Sequence, residues 1–148
     1  GALTMPLPWK RGRIGIGIGR IGRIESYADR GITFRQLQDL STFLQRLCKA
    51  GLLKFTANAF GFRRGQRVAW SLLNMYILSE EVIRKVILHC DPHGSPWYSW
   101  VEFLEGEPKR PKVFFSHWWG GRFRDFMQVV EHVRKDRRLS IHDGLWIC

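Results

Sequence analysis

Glycines at 17, 19 and 22 spell GxGxxG inside GRIGIGIGRIGRI, Gly12 to Ile24. This is the spacing that cradles a dinucleotide pyrophosphate when a strand delivers the chain to the first glycine and a helix N-terminus receives the phosphate. The flanking residues do not supply that setting. Upstream, GALTMPLPWKR carries Pro6 and Pro8, too close together for a buried central strand. Downstream, RIESYADRG reaches Gly31 in fewer than three helical turns. No strand then follows with an acidic residue about 20 positions on to meet a ribose. Asp39 has the right offset, but it falls within a helical pattern. The repeat satisfies many glycine templates by its own bias, so no cofactor is expected. Residues 1–31 read instead as a flexible basic arm carrying Lys10, Arg11, Arg13, Arg20 and Arg23, ordered only against a partner because glycine costs the most backbone entropy to fix.

The most distinctive stretch is SHWWGGRFRDF, Ser116 to Phe126. Ser116 and His117 follow an apolar run that reads as a strand, and ligands of open α/β sheets bind beyond the carboxyl ends of strands. Gly120 and Gly121 could open backbone N–H groups to an anion or nucleotide at the start of the next helix, with Arg122 and Arg124 alongside. The plainer alternative is that Trp118 and Trp119 pack on the sheet while the glycines turn the chain. A serine and a histidine adjacent in sequence are not a nucleophile and base without geometry, so no catalytic residue is assigned.

Two further groups invite chemistry. His89, Cys90 and His93, with Cys48 elsewhere, match no standard zinc spacing, and no metal is expected. KFTANAFGFRRGQR, Lys54 to Arg67, interleaves basic and aromatic residues as single-stranded nucleic-acid binders do. The preferred reading keeps the rings in a core beneath a solvated arginine rim. Lys135 to Arg138, KDRR, closes a helix where positive charge suits the dipole and needs no ligand.

These residues must be held by elements that the pattern predicts. Thr33 and Gln36 have capping-box spacing, and Phe34, Leu37, Leu40, Leu44 and Leu47 lay one apolar stripe along a helix that stops at Gly51. Val68 to Leu78 reads as a second helix, and Ser79 as the cap of a third, EEVIRKVILHC. DPHGSPW, Asp91 to Trp97, punctuates the chain. Beyond it KVFFSH reads as a strand, Phe123, Phe126, Met127, Val130 and Val133 as the face of an amphipathic helix, and DGLWIC as another strand. Strand, helix, strand is a βαβ unit with parallel strands. The expected fold class is therefore α+β or α/β, in three parts: the arm at 1–31, a helical module and linker at 32–97, and a partial βαβ unit at 98–148. Two strands alone make no stable parallel sheet, so the edge needs cover from a partner or from chain beyond Cys148.

Composition bounds the partners. The 148 residues hold 24 Lys and Arg against 13 Asp and Glu, a formal charge of +11. Such a surface attracts an acidic protein face, nucleic acid or an anionic membrane surface. The three cysteines, at 48, 90 and 148, form no disulfide framework and point to an intracellular setting, cytoplasmic or, for an organelle subunit, chloroplast. No uncharged apolar run of about 18 residues is present to span a bilayer. The sequence opens on Gly, without the apolar region of a signal peptide, and ends on the apolar GLWIC, which reads as a truncation inside a domain.

The run KVFFSHWWGG, then RFRDFMQVVEHV and LWIC, resembles a set of dinoflagellate proteins carrying an F-x-SHWWG signature, here Phe114 to Gly120. GITFRQLQDL, Gly31 to Leu40, resembles the region preceding that signature. More distantly the unit resembles the opening of TIR-like domains, which have a flavodoxin-like parallel sheet. That resemblance implies that Ser116 and His117 lie near a loop shaping a nucleotide pocket or a self-association surface. Enzymatic TIR domains cleave NAD with a glutamate on a later helix, a part not encoded here, and no catalytic residue is carried over. The expectation is a non-enzymatic interaction protein whose basic arm binds an acidic partner surface. Two alternatives stand beside it: a basic accessory subunit of a large assembly such as a photosynthetic complex or ribosome, and an NAD-cleaving enzyme completed by a missing part.

Overall fold

The computed structural model describes residues 24–55, 58, 61–84, 99–104 and 107–147. The arm residues Lys10, Arg11, Arg13, Arg20 and Arg23, the part of the expected third helix after Arg84, and His89, Cys90 and His93 lie outside the described residues.

Strand β1 (Ile32–Thr33) leads directly into helix α1 (Phe34–Lys49). The hinge is the expected capping box: Thr33 Oγ1 accepts from Gln36 N at 3.0 Å, and Gln36 Oε1 accepts from Thr33 N at 2.9 Å. Gly51, at φ +67°, ends the helix in the left-handed conformation that only glycine adopts without cost. The stripe at Phe34, Leu37, Leu40, Leu44 and Leu47 is buried along its whole length.

The second expected helix is not one helix. Trp70–Leu72 is a single 3-10 turn, the chain then extends through Leu73 and Asn74, and helix α2 (Met75–Ile77) starts afresh and runs on as a π-helical stretch, Leu78–Ile83. Asn74 is the cap, its Oδ1 accepting from Ile77 N at 2.8 Å, and Ser79 sits inside the helical run. The reason is tertiary. Met75 N donates to Gly121 O and Tyr76 N to Trp119 O, so the SHWWGG loop supplies the acceptors that free helix N–H groups need. Phe123 N, at the other helix start, donates back to Leu73 O at 2.8 Å. A window of apolar residues contains no record of acceptors supplied more than forty positions away.

The βαβ unit is present. Strand β2 (Pro111–Phe115), helix α3 (Phe123–Asp136) and strand β3 (Gly144–Ile147) follow in order, and β2 pairs parallel with β3 with Val113 opposite Leu145, Phe114 opposite Trp146 and Phe115 opposite Ile147. The other edge of β3 is met from within the chain: β1 pairs antiparallel, Ile32 against Leu145 and Thr33 against Gly144, giving the sheet order β1–β3–β2. The architecture is thus α+β, with a small mixed three-stranded sheet. One hydrophobic core joins the helical region to the βαβ unit, running from Phe34 and Leu37 through Leu73 and Ile77 to Val113, Phe123 and Leu145.

The helices gather over the sheet face that carries Val113, Phe115, Leu145 and Ile147, with Phe115 edge-on to Phe126 of α3 at 6.1 Å. The opposite face, alternate in each strand, presents Phe114, 69 % exposed, beside Trp146. Residues 24–31, counted with the arm in the sequence, are packed against the body here. Lys109 N donates to Asp29 O and Gly31 N to Lys109 O, while Ile24 N donates to Glu102 Oε2 at 2.8 Å.

Candidate functional site

The loop after β2 carries the residues singled out by type. Gly121 N donates to Trp118 O at 2.9 Å, closing a turn. A side chain on Gly120 would start 2.7 Å from the Trp118 indole, so glycine is what lets the ring lie flat against the backbone. Trp118 is 78 % exposed; it covers the turn rather than the sheet. Trp119 stacks on Tyr76 at 5.4 Å and meets His117 edge-on at 4.7 Å. His117 also stands edge-on to Phe126 at 6.0 Å, and its Nδ1 is buried with no hydrogen-bond partner among the described residues.

His117 is the partition between two concavities. On one side lies a groove of about 470 Å³ lined by Ser116, Trp118, Gly120, Gly121, Arg122 and Asp125 among others. The structure therefore brings five of the six sequence-chosen residues together, while Arg124 lies beyond the groove's lining and 3.9 Å from Asp125 Oδ1. The groove is poorer in free donors than the sequence suggests. The N–H of Gly121 is used in the turn and that of Phe123 on Leu73, and Asp125 adds a carboxylate to the same wall.

On the other side lies a partly open cavity of about 220 Å³ between the sheet and the helices. Its wall is almost wholly apolar: Leu37 and Leu40 of α1, Met75 and Leu78 of the α2 run, Trp100, Trp119 and Phe123, with Leu145 and Ile147 of β3 as the floor. Arg30 reaches its rim, already bonded through Nε and a terminal nitrogen to Ile24 O at 2.9 and 2.6 Å and 3.8 Å from Glu102. No sequence signal announces this cavity, since its walls are spread over five segments and are core-type residues one by one.

A third feature is electrostatic. Ser41 to Ser79 contains Arg46, Lys49, Lys54, Arg63, Arg64 and Arg67 and no Asp or Glu. All six are exposed. They collect at one end of the molecule because the chain after α1 doubles back: Lys54 bridges antiparallel to Arg67, Val68 N donates to Leu53 O, and the Arg67 guanidinium lies over Gly51 at the helix terminus. Phe55 is buried and the half-buried Phe62 stacks on it at 4.4 Å, so these two rings of the hairpin pack inward while its described cations face solvent. The sequence marks this group at Lys54 to Arg67; Arg46 and Lys49 join it only through the fold, although the acid-free run from Ser41 to Ser79 is a readable sign.

Elsewhere several basic residues meet acids. Arg35 pairs with Asp39, Arg84 with Glu80, Arg110 with Asp29, Lys112 with Asp143 and Arg134 with Glu131. The Arg134 hydrogen bond, reinforced by that of Gln38, holds the Glu131 carboxyl below the usual range, and Lys112 with the Ser140 N–H does the same for Asp143. Among the described residues no such pair involves the six cations of the hairpin end. Cys48 lies beneath that end, its thiol pushed up to about 11 by burial, which leaves it unreactive at neutral pH. Among the described residues no cluster of side chains could hold a metal ion, and no helix is long and apolar enough to cross a membrane. Comparison with known protein families, known proteins and solved structures gives no match for the chain.

Proposed function

We propose that this is a non-enzymatic interaction protein that holds a polyanionic partner surface through its basic end, assisted by the basic arm. The observation that carries this reading is the one-signed cluster Arg46, Lys49, Lys54, Arg63, Arg64 and Arg67, exposed and without an acidic partner among the described residues. Arg46 and Lys49 stand in the last turn of α1, where the helix offers a partial charge of only about −0.5. Six cations exceed that by an order of magnitude, so the helix end does not account for them. Since Phe55 and Phe62 turn inward, the described part of this surface offers charge rather than rings for base stacking. Recognition is then of anionic charge density rather than of sequence, and the partner class is an acidic protein face, a nucleic-acid backbone or an anionic membrane.

The test is binding of the full chain to three probes, polyglutamate, a single-stranded oligonucleotide and phosphatidylserine vesicles, followed across a salt series. Salt-sensitive binding to at least one, weakened by Arg63→Glu with Arg64→Glu, supports the reading; absence of binding to all three at low salt refutes it.

The strand–helix–strand order and parallel pairing agree with the TIR-like resemblance, which remains part of this proposal. Incubation with NAD should release no nicotinamide. A second reading, an accessory subunit built into a large assembly, draws support from the sheet face where Phe114 is exposed beside the half-buried Trp146, among the described residues. Monomers seldom leave aromatic sheet faces uncovered. On that reading the isolated chain self-associates, and Phe114→Lys makes it monomeric.

A further inference from the structure

We infer that the cavity behind His117 is a binding site for a small neutral aromatic molecule bearing a single hydroxyl group. It lies over the sheet face, floored by Leu145 and Ile147 of β3, with His117 entering from the loop just past the carboxyl end of β2. At about 220 Å³ it is larger than the cavity of about 150 Å³ that suffices to bind benzene when lined by Leu, Ile and Phe. The walls set the ligand's shape. Trp100, Trp119 and Phe123 present ring surfaces and Leu40, Leu78 and Leu145 add aliphatic wall to this partly open cavity, so a flat apolar body makes the best contacts.

The uncharged polar residues of the lining are few: Ser79, Ser99, whose Oγ is already spent on Glu102, and His117. His117 lines both this cavity and the neighbouring groove, and its Nδ1 is buried with nothing in the described residues to satisfy it. A buried polar atom without a partner is costly, and a ligand group that bonds it recovers that cost. A neutral imidazole presents either a donor or an acceptor at Nδ1, and a hydroxyl answers both. A charged ligand does not fit. The one charged group at the rim, Arg30, is already met by Ile24 O and Glu102, and the apolar walls would leave an ionised group desolvated.

The experiment is an NMR titration of the full chain with 4-ethylphenol and with ethylbenzene, which share a shape and differ by the hydroxyl. The expected result is saturable binding of both, with the phenol about tenfold tighter, the size of one recovered buried hydrogen bond. His117→Phe should retain ethylbenzene and reduce the phenol's advantage to less than about threefold, and His117→Leu serves the same purpose if the larger ring disturbs folding. Leu78→Phe, which fills the cavity, should weaken both probes more than about tenfold. No saturable binding of either probe to the unaltered chain overturns the inference. So does equal binding of the two, or a preference for the phenol that survives loss of the imidazole.

Discussion

Arg30 Nε lies 3.8 Å from Glu102 Oε1, and both side chains are withdrawn from solvent, 9 % and 1 % exposed. The pair fastens the segment before β1 to the turn Trp100–Phe103. Glu102 is fully occupied: Ser99 N and Ser99 Oγ donate to Oε1, each at 2.9 Å, and Ile24 N donates to Oε2. Removing the carboxylate strands a buried guanidinium and three donors. Glu102→Leu is therefore expected to cost about 3–5 kcal/mol in urea unfolding, and Arg30→Leu in the same chain to restore part of it. A loss below 1 kcal/mol would show that the pair does not anchor this segment.

The glycines make a graded prediction. A Cβ on Gly31 would sit 2.7 Å from the Lys109 carbonyl oxygen, a backbone atom fixed by the pairing of residues 29–31 with 109. A Cβ on Gly120 would meet the Trp118 indole at the same distance, but that ring is exposed and can swing away. Gly31→Ala should thus lower stability by about 1–3 kcal/mol, as overpacking does. Gly120→Ala should leave the thermal midpoint nearly unchanged while shifting the tryptophan emission. Equal destabilisation by the two would contradict this placement of Trp118.

Acid titration follows from Glu131 and Asp143. Both carboxyls are held below their usual range in the folded chain, Glu131 first by Arg134 and Asp143 first by Lys112. A group lowered on folding contributes its full stabilisation above the unfolded-state value, and the contribution is lost as pH falls through the folded-state value. Stability should therefore decline below the ordinary carboxylate range, with Glu131→Gln plus Asp143→Asn less stable at neutral pH and flatter in acid. Parallel pH profiles for variant and parent would exclude these two carboxyls as the source.

The hinge between β1 and α1 rests on reciprocal bonds of Thr33 and Gln36. Thr33→Ala should cost about 0.5–2 kcal/mol. Because β1 also flanks β3, amide exchange should quicken at Leu145 as well as in the first turn of α1.

This hinge was also the most readable part of the sequence, since a capping box, an apolar stripe and a terminal glycine are all local signals. The βαβ unit was readable for a similar reason: VFF and LWI are β-prone runs on either side of one helical stripe. Asn74 was not legible as a helix start, because the carbonyls of Trp119 and Gly121 that complete that terminus come from a distant loop. Nor was β1, whose two residues carry no periodicity and pair only because β3 offers an edge. At the candidate site Ser116 and His117 stood out by type, but the cavity behind His117 depends on Leu37, Leu78, Trp100 and Leu145 meeting in space. The hairpin cations were visible in Lys54 to Arg67; that they meet no acid among the described residues became visible only with the fold.

The most direct measurement of the central claim separates the hairpin from the arm. Binding of a labelled single-stranded oligonucleotide is followed by anisotropy against salt for the full chain, for the chain with Lys10, Arg11, Arg13, Arg20 and Arg23 changed to Gln, and for Arg63→Glu with Arg64→Glu and Arg67→Glu. The account predicts that the arm variant still binds in a salt-sensitive way, and that the hairpin variant loses a slope of about 2 in log K against log salt, the release expected for three cations on a single strand. A hairpin variant that binds as the full chain does would contradict it.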